Sequence, residues 1–149
     1  MTYTMTQEMQ TITTPANGDS SAATKKLRAL IVDDSRAIRS ILGSLLRQIG
    51  FDVAEAGNGK EGLERLGQLD QLHLVLVDWN MPIMNGLEFV QAVRADHRYD
   101  PLPLMMVTTE TEMSQVARAL EAGVNEYVMK PTTKDVILQK LQLLGIAIP

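Results

Sequence analysis

The sequence predicts an α/β protein: a five-stranded, doubly wound parallel sheet with helices on both faces. Three observations carry that prediction. Short apolar runs alternate five times with amphipathic helical periodicity over roughly 120 residues, the signature of a repeated βα unit. Each apolar run stops abruptly at a polar residue, Asp33, Asp78, Thr108 and Lys130 among them. All 6 prolines fall outside the interiors of the periodic segments.

The elements follow in order. Leu27 to Val32 is an apolar run that ends in Asp33-Asp34-Ser35. Ile38, Ile41, Leu42, Leu45, Leu46 and Ile49 then recur on one helical face, with Ser35 or Asp34 as N-cap and Gly50 as terminator. Phe51 to Ala56 reads as the second strand, and Gly57-Asn58-Gly59 as a turn. Leu63 and Leu66 mark the inner face of the second helix, with Leu69 near its end. His73 to Val77 is a buried strand ending at Asp78, and a helix from about Asn85 to Ala95 follows the loop Trp79-Asn80-Met81-Pro82. Leu104 to Val107 is the fourth strand, ending at Thr108. Met113, Val116, Ala117 and Leu120 are expected to face inward on the fourth helix, which Gly123 ends. Glu126 to Met129 is the short fifth strand, and Val136, Ile137, Lys140, Leu141 and Leu144 line the last helix. The 9 methionines are expected to fill core rather than to form a surface.

Residues 1–25, rich in Thr, Ser and Gln with only scattered apolar side chains, are expected to be a flexible tail. Residues 26–149 form the domain. The tail has no basic segment followed by an apolar core, so it does not read as a signal peptide.

Composition narrows the chemistry. A net charge of −4 argues against sequence-independent nucleic-acid binding. No apolar run approaches the ~20 residues that span a bilayer. With no cysteine, disulfides, thiol catalysis and Cys-ligated zinc are excluded, and 2 distant histidines make a His-rich metal site a poor fit. Carboxylates, hydroxyls and lysine remain.

Parallel strands deliver their carboxyl ends to one edge, and ligands bind there at the switch in strand order. In the order 2-1-3-4-5 the switch lies between strands one and three, the two that end in aspartates. Asp33, Asp34 and Asp78 would then crowd together beside Thr108 and Lys130. Three ionised carboxylates at that range repel one another, and a hard cation relieves the conflict; Mg²⁺ suits such oxygen ligands best. Lysine and threonine beside it supply a charge and a hydrogen bond to further oxygens, equipment for phosphoryl transfer with a carboxylate as nucleophile. No Gly-x-x-x-x-Gly-Lys loop is present to cradle a nucleotide. Taken singly, each residue has a plainer explanation: Asp-Asp-Ser as a helix cap, Asp78 as a turn residue, Lys130 as a solvated lysine and Tyr127 as a sheet tyrosine. Their convergence on one edge favours function.

These same residues resemble a known family. Leu30-Ile31-Val32-Asp33-Asp34-Ser35, Asp78-Trp79-Asn80-Met81-Pro82-x-Met84-Asn85-Gly86, Met106-Val107-Thr108 and Tyr127-Val128-Met129-Lys130-Pro131 look like the receiver domain of bacterial two-component response regulators, chemotaxis type, with its flavodoxin-like fold. The match runs from about Arg28 to Leu144. The resemblance implies that Asp78 is the phosphoacceptor for a phosphohistidine on a sensor kinase or phosphotransfer protein. It implies Mg²⁺ held by Asp33, Asp34, Asp78 and the backbone carbonyl of Asn80. Lys130 would pair with the phosphoryl group, across a cis peptide to Pro131, while Thr108 and Tyr127 would act as switch residues. Asn80 and Glu110 would tune dephosphorylation toward the fast end. The output surface would run from Glu112 to Leu144. Thr109 and Thr132 depart from the family's usual small residue and phenylalanine.

Only Gly145 to Pro149 follow the last helix, so the signal is expected to leave by protein contact. Expected partners are the kinase and a downstream protein target, with neither nucleic acid nor membrane, in a cytoplasmic protein that is monomeric when unphosphorylated. It is expected to catalyse only its own phosphorylation and dephosphorylation. A phosphate sink or relay without its own target is the alternative, and a Mg²⁺-dependent phosphatase the third.

Overall fold

In a computed structural model, which describes residues 26–149, the side chains of the central strands alternate between two cores. Strand β1 (Leu27–Val32) sends Ala29 and Ile31 to one side and Leu30 and Val32 to the other. Strands β3 (Leu74–Val77) and β4 (Leu104–Thr108) do the same, and every residue of both is buried. Such double-sided burial explains why these runs are continuously apolar rather than alternating. Strands β2 (Phe51–Ala56) and β5 (Glu126–Met129) form the edges, and the order is β2-β1-β3-β4-β5, all parallel.

Helices α1 (Arg36–Ile49) and α5 (Lys134–Leu143) cover one face, burying Leu42, Leu46, Ile49, Ile137 and Leu141. Helices α2 (Gly59–Gln68), α3 (Gly86–Ala95) and α4 (Met113–Ala122) cover the other. Caps set the helix starts: Ser35 accepts from the Ile38 amide, Asn58 from Glu61, and Asn85 forms a reciprocal capping box with Glu88. The flexible tail expected over residues 1–25 lies outside the described residues.

Three expectations need correction. The third strand begins at Leu74, because the His73 ring turns back and its Nδ1 accepts the Arg28 amide at 3.0 Å. On α4, Ala119 is the buried residue; Met113 is 80% exposed, Leu120 48%, Ala117 is exposed and Val116 only half-buried. The apolar stripe is present but points outward, since α4 packs on α3 and β5 through its short Ala119 face. The methionines divide likewise: Met105 and Met106 are fully buried, whereas Met113 and Met129 lie on the surface.

Candidate functional site

The carboxyl ends of β1, β3, β4 and β5 meet at the edge that sequence reasoning singled out. Asp33 follows β1 and is 1% exposed; Asp78 follows β3 and is 7% exposed; Thr108 ends β4 and is fully buried. Asp34, one residue beyond Asp33, is exposed. One carboxylate oxygen from each of Asp33, Asp34 and Asp78 lies within 4.8 Å of the others.

Lys130, after β5, reaches back to this cluster. Its Nζ donates to Asp33 Oδ2 at 2.7 Å and to Asp78 Oδ2 at 3.1 Å. Burial is the largest single influence on the ammonium and acts to lower its pKa. The hydrogen bonds and charges of the two aspartates together outweigh it and hold Lys130 above its ordinary value. The remaining oxygens are held by main chain: Asp33 Oδ1 accepts from the Ser35 amide at 2.9 Å, and Asp78 Oδ1 from the Trp79 amide at 2.7 Å. The peptide between Lys130 and Pro131 is cis.

Thr108 Oγ1 accepts the Glu110 amide at a long 3.4 Å, and Asn80 Nδ2 donates to Glu110 Oε2 at the same distance across the mouth. Tyr127 is half-buried and its hydroxyl donates to the Glu110 carbonyl at 2.8 Å. Burial first, then the charges of Glu110 and Asp78, raise its phenol above the ordinary value. All eight residues singled out from the sequence thus gather at one end of the sheet, joined by the carboxylate cluster and a set of hydrogen bonds: Asp33, Asp34, Asp78, Asn80, Thr108, Glu110, Tyr127 and Lys130.

Sequence reasoning missed three supports. Arg39 donates through Nη1 to the Asp33 carbonyl at 2.6 Å and through Nε to Glu55 at 2.8 Å, bracing the turn that carries two acids. Its place one turn into α1, on the polar side of the stripe, was the available signal. Gly86 packs directly on the Asp78–Trp79 backbone, and its amide donates to the Trp79 carbonyl at 2.8 Å. Arg118 of α4 stands 6.0 Å from the Trp79 ring, and nothing in sequence spacing announces that pair.

A doubly wound fold that gathers an acid triad, a lysine and a threonine at its switch point defines a class of domain: one with an oxygen-ligand cation site beside a fixed ammonium and a hydroxyl. The family model for the response regulator receiver domain matches residues 29–142, and the chain belongs to that family. Members of this family are signalling proteins of two-component systems rather than conventional enzymes, and they bind Mg²⁺ at an acidic pocket. Chemotaxis protein CheY1 of Helicobacter pylori J99 is 43% identical over 118 residues, covering 78% of this chain and 95% of that protein. Chemotaxis protein CheY of Pseudomonas aeruginosa is 44% identical over 119 residues, covering 78% and 94%. Among solved structures, Vibrio cholerae chemotaxis protein CheY4 superposes with a TM-score of 0.75 at 32% identity, over 80% of this chain and 99% of that one.

The carboxylate cluster of this chain fits the cation of the family. It offers only hard oxygen donors, with one acid exposed to solvent and two buried beside it.

Proposed function

We propose that this chain is a phosphorylation-controlled switch that accepts a phosphoryl group on Asp78 from a phosphohistidine and then binds a protein target. The observation that carries this reading is the Lys130 ammonium shared between Asp33 and Asp78, beside Asp34. Asp78 is the nucleophile: a carboxylate oxygen forms a bond to phosphorus as the phosphorus–nitrogen bond of the donor breaks, and the imidazole leaves with a proton. The product is an acyl phosphate. Asp33, Asp34, Asp78 and the Asn80 carbonyl would hold Mg²⁺, which would supply positive charge to offset the phosphoryl oxygens. Lys130 exchanges its bond to Asp78 for one to the phosphoryl group. The buried Thr108 hydroxyl, weakly engaged at 3.4 Å, is free to turn toward a new oxygen. Thr108 and Tyr127 both bond to Glu110, by its amide and its carbonyl, so movement of one bears on the other. Asn80 and Glu110, in contact at the mouth, govern water entry and favour rapid loss of the phosphoryl group.

Exposed apolar side chains on the three elements of the expected output surface favour a switch over a sink. Met113 and Leu120 of α4, Met129 of β5, and Val136 and Leu143 of α5 are 37–80% exposed. A chain that only stored phosphoryl groups has no need of such a surface. A phosphatase fits less well, because the Asp-x-Asp pattern of that chemistry is replaced by Asp78-x-Asn80. A chain that exchanges a phosphoryl group with a sensor kinase and binds a protein target would work in the cytoplasm. No helix among the described residues is long and apolar enough to cross a membrane.

The test uses the single tryptophan, Trp79, adjacent to Asp78. Its fluorescence should respond saturably to Mg²⁺, and change again with acetyl phosphate or beryllofluoride. The second change should vanish in Asp78→Ala with circular dichroism unaltered. A folded wild type silent to both reagents overturns the reading.

A further inference from the structure

The loop between β3 and α3 carries a feature that the acid pocket does not use. Met81-Pro82-Ile83-Met84 is a run of four apolar residues outside any helix or strand. Met84 tucks under the loop against Gly59, whose amide donates to the Met84 carbonyl at 3.0 Å, and Met81 packs on the core. Ile83 does neither. It is 77% exposed, and its φ of 71° lies in the left-handed region that β-branched residues rarely adopt. Asparagine or glycine would take that backbone with less crowding, and a polar side chain would suit the exposure. Backbone and solvent both disfavour isoleucine here, and no packing compensates.

The tip is held out rather than free to retract. Met84 N donates to the Pro82 carbonyl at 2.7 Å and Gly86 N to the Trp79 carbonyl at 2.8 Å, pinning the loop on either side. The same loop walls an open cleft of about 520 Å³, shared by Asp34, Trp79, Asn80 and Asn85. Ile83 stands five residues beyond Asp78 and directly follows Met81 and Pro82, which line that cleft, so its exposed side chain projects from the loop that a macromolecule reaching Asp78 would meet. We propose that Ile83 is a docking contact for a phosphohistidine-bearing protein donor, its apolar tip seated against apolar surface beside the donor's histidine, and that it sets how well that donor is recognised. A small phosphodonor needs only the pocket and gains nothing from it.

The proposal rests on Asp78 being the phosphoacceptor, and the experiment separates the two. Wild type, Ile83→Asn and Ile83→Leu are each assayed with acetyl phosphate. They are then assayed with whichever autophosphorylated histidine kinase of the source organism transfers fastest to wild type. Acetyl phosphate should label all three within about twofold. With the kinase, Ile83→Asn should lose about tenfold in kcat/KM, mainly through KM, while Ile83→Leu keeps the wild-type value. Relief of the backbone conformation should leave Ile83→Asn with an unfolding midpoint no lower than wild type. Equal kinase transfer to wild type and Ile83→Asn overturns the contact and leaves the phosphoacceptor standing. So does a loss of the same size with acetyl phosphate, which would place the effect in the pocket. If acetyl phosphate fails to label wild type, or no kinase does, both readings fall together.

Discussion

Gly86 offers a sharp test of how the phosphoacceptor is held. It is the first residue of α3, where alanine would ordinarily be the better helix former by up to about 1 kcal/mol. Sterics point the other way. A Cβ on residue 86 would sit 2.8 Å from the Asp78 carbonyl carbon and 2.9 Å from Trp79 Cα, and nearer still to the Asp78 carbonyl oxygen. Carbon atoms rest comfortably at about 3.5–4.0 Å, so the carbon contacts alone would force the backbone to open by at least ~0.7 Å. No side chain can yield instead, because all three atoms are main chain. That main chain is itself tethered, Asp78 N donating to the Val32 carbonyl at 2.9 Å and Gly86 N to Trp79. Overpacking of this kind costs about 1–3 kcal/mol, and with backbone on every side the upper end applies. The net expectation for Gly86→Ala is a loss of about 2 kcal/mol, or an unfolding midpoint lower by roughly 8 °C. Labelling by acetyl phosphate should fall as well, since Asp78 moves with its carbonyl. Gly67, inside α2, supplies the control: nothing lies within 4 Å of its virtual Cβ, so Gly67→Ala should gain about 0.5–1 kcal/mol. Urea unfolding followed by circular dichroism reads both changes. If Gly86→Ala is as stable as wild type and accepts phosphoryl normally, the close approach does not position Asp78.

Two further outcomes follow from the site and its surroundings. Without divalent cation, Lys130→Met should lose about 3 kcal/mol at neutral pH, because it leaves Asp33 and Asp78 buried without their counter-charge. The folded-state pKa of Lys130 lies above its ordinary 10.5, so its contribution is fully present below that value. It is lost as pH rises through the raised one, and the gap between the two proteins should close only above about pH 10.5, as read by thermal unfolding across pH. Arg94 donates to the carbonyls of Gly123, Tyr99 and Leu102 and to Asn125 Oδ1 at 2.7–3.0 Å, tying the loop before β4 to the loop before β5. Arg94→Ala should cost about 3 kcal/mol and speed amide exchange in both loops, and Arg94→Lys should recover little, lacking the planar fork.

What sequence could show depended on the range of the interaction. Strand β1, its abrupt end at Asp33 and the terminator Gly50 are local signals legible to the residue, whereas the N-cap was narrowed only to Ser35 or Asp34 and falls to Ser35. The convergence of Asp33, Asp78 and Lys130 spans 97 residues at its widest. It was legible only because parallel topology forces strand ends to one edge. Arg94 obeys no such rule. The carbonyls of Tyr99, Leu102 and Gly123 carry no side-chain signature, so a long cation bracing distant loops looks in sequence like any solvated arginine. The φ of Ile83 is hidden for a related reason: the turn is imposed by bonds from Gly59 and Gly86, not by the residue that bears the strain.

The fourth helix shows a different boundary. Met113, Val116 and Leu120 do share a helical face, as their spacing requires, yet periodicity states only that a stripe exists and not what covers it. In most helices the sheet is the covering partner. Here α4 lies beside the edge strand β5, and the small Ala119 brings it against the domain, so the larger side chains are left facing water together with Met129, Val136 and Leu143. An apolar stripe that the fold does not bury has been left for something else to bury. The expectation that failed for the fold is therefore the one that points most directly to function: the helix expected to complete the core instead leaves its apolar side chains on the surface from which the signal is proposed to leave.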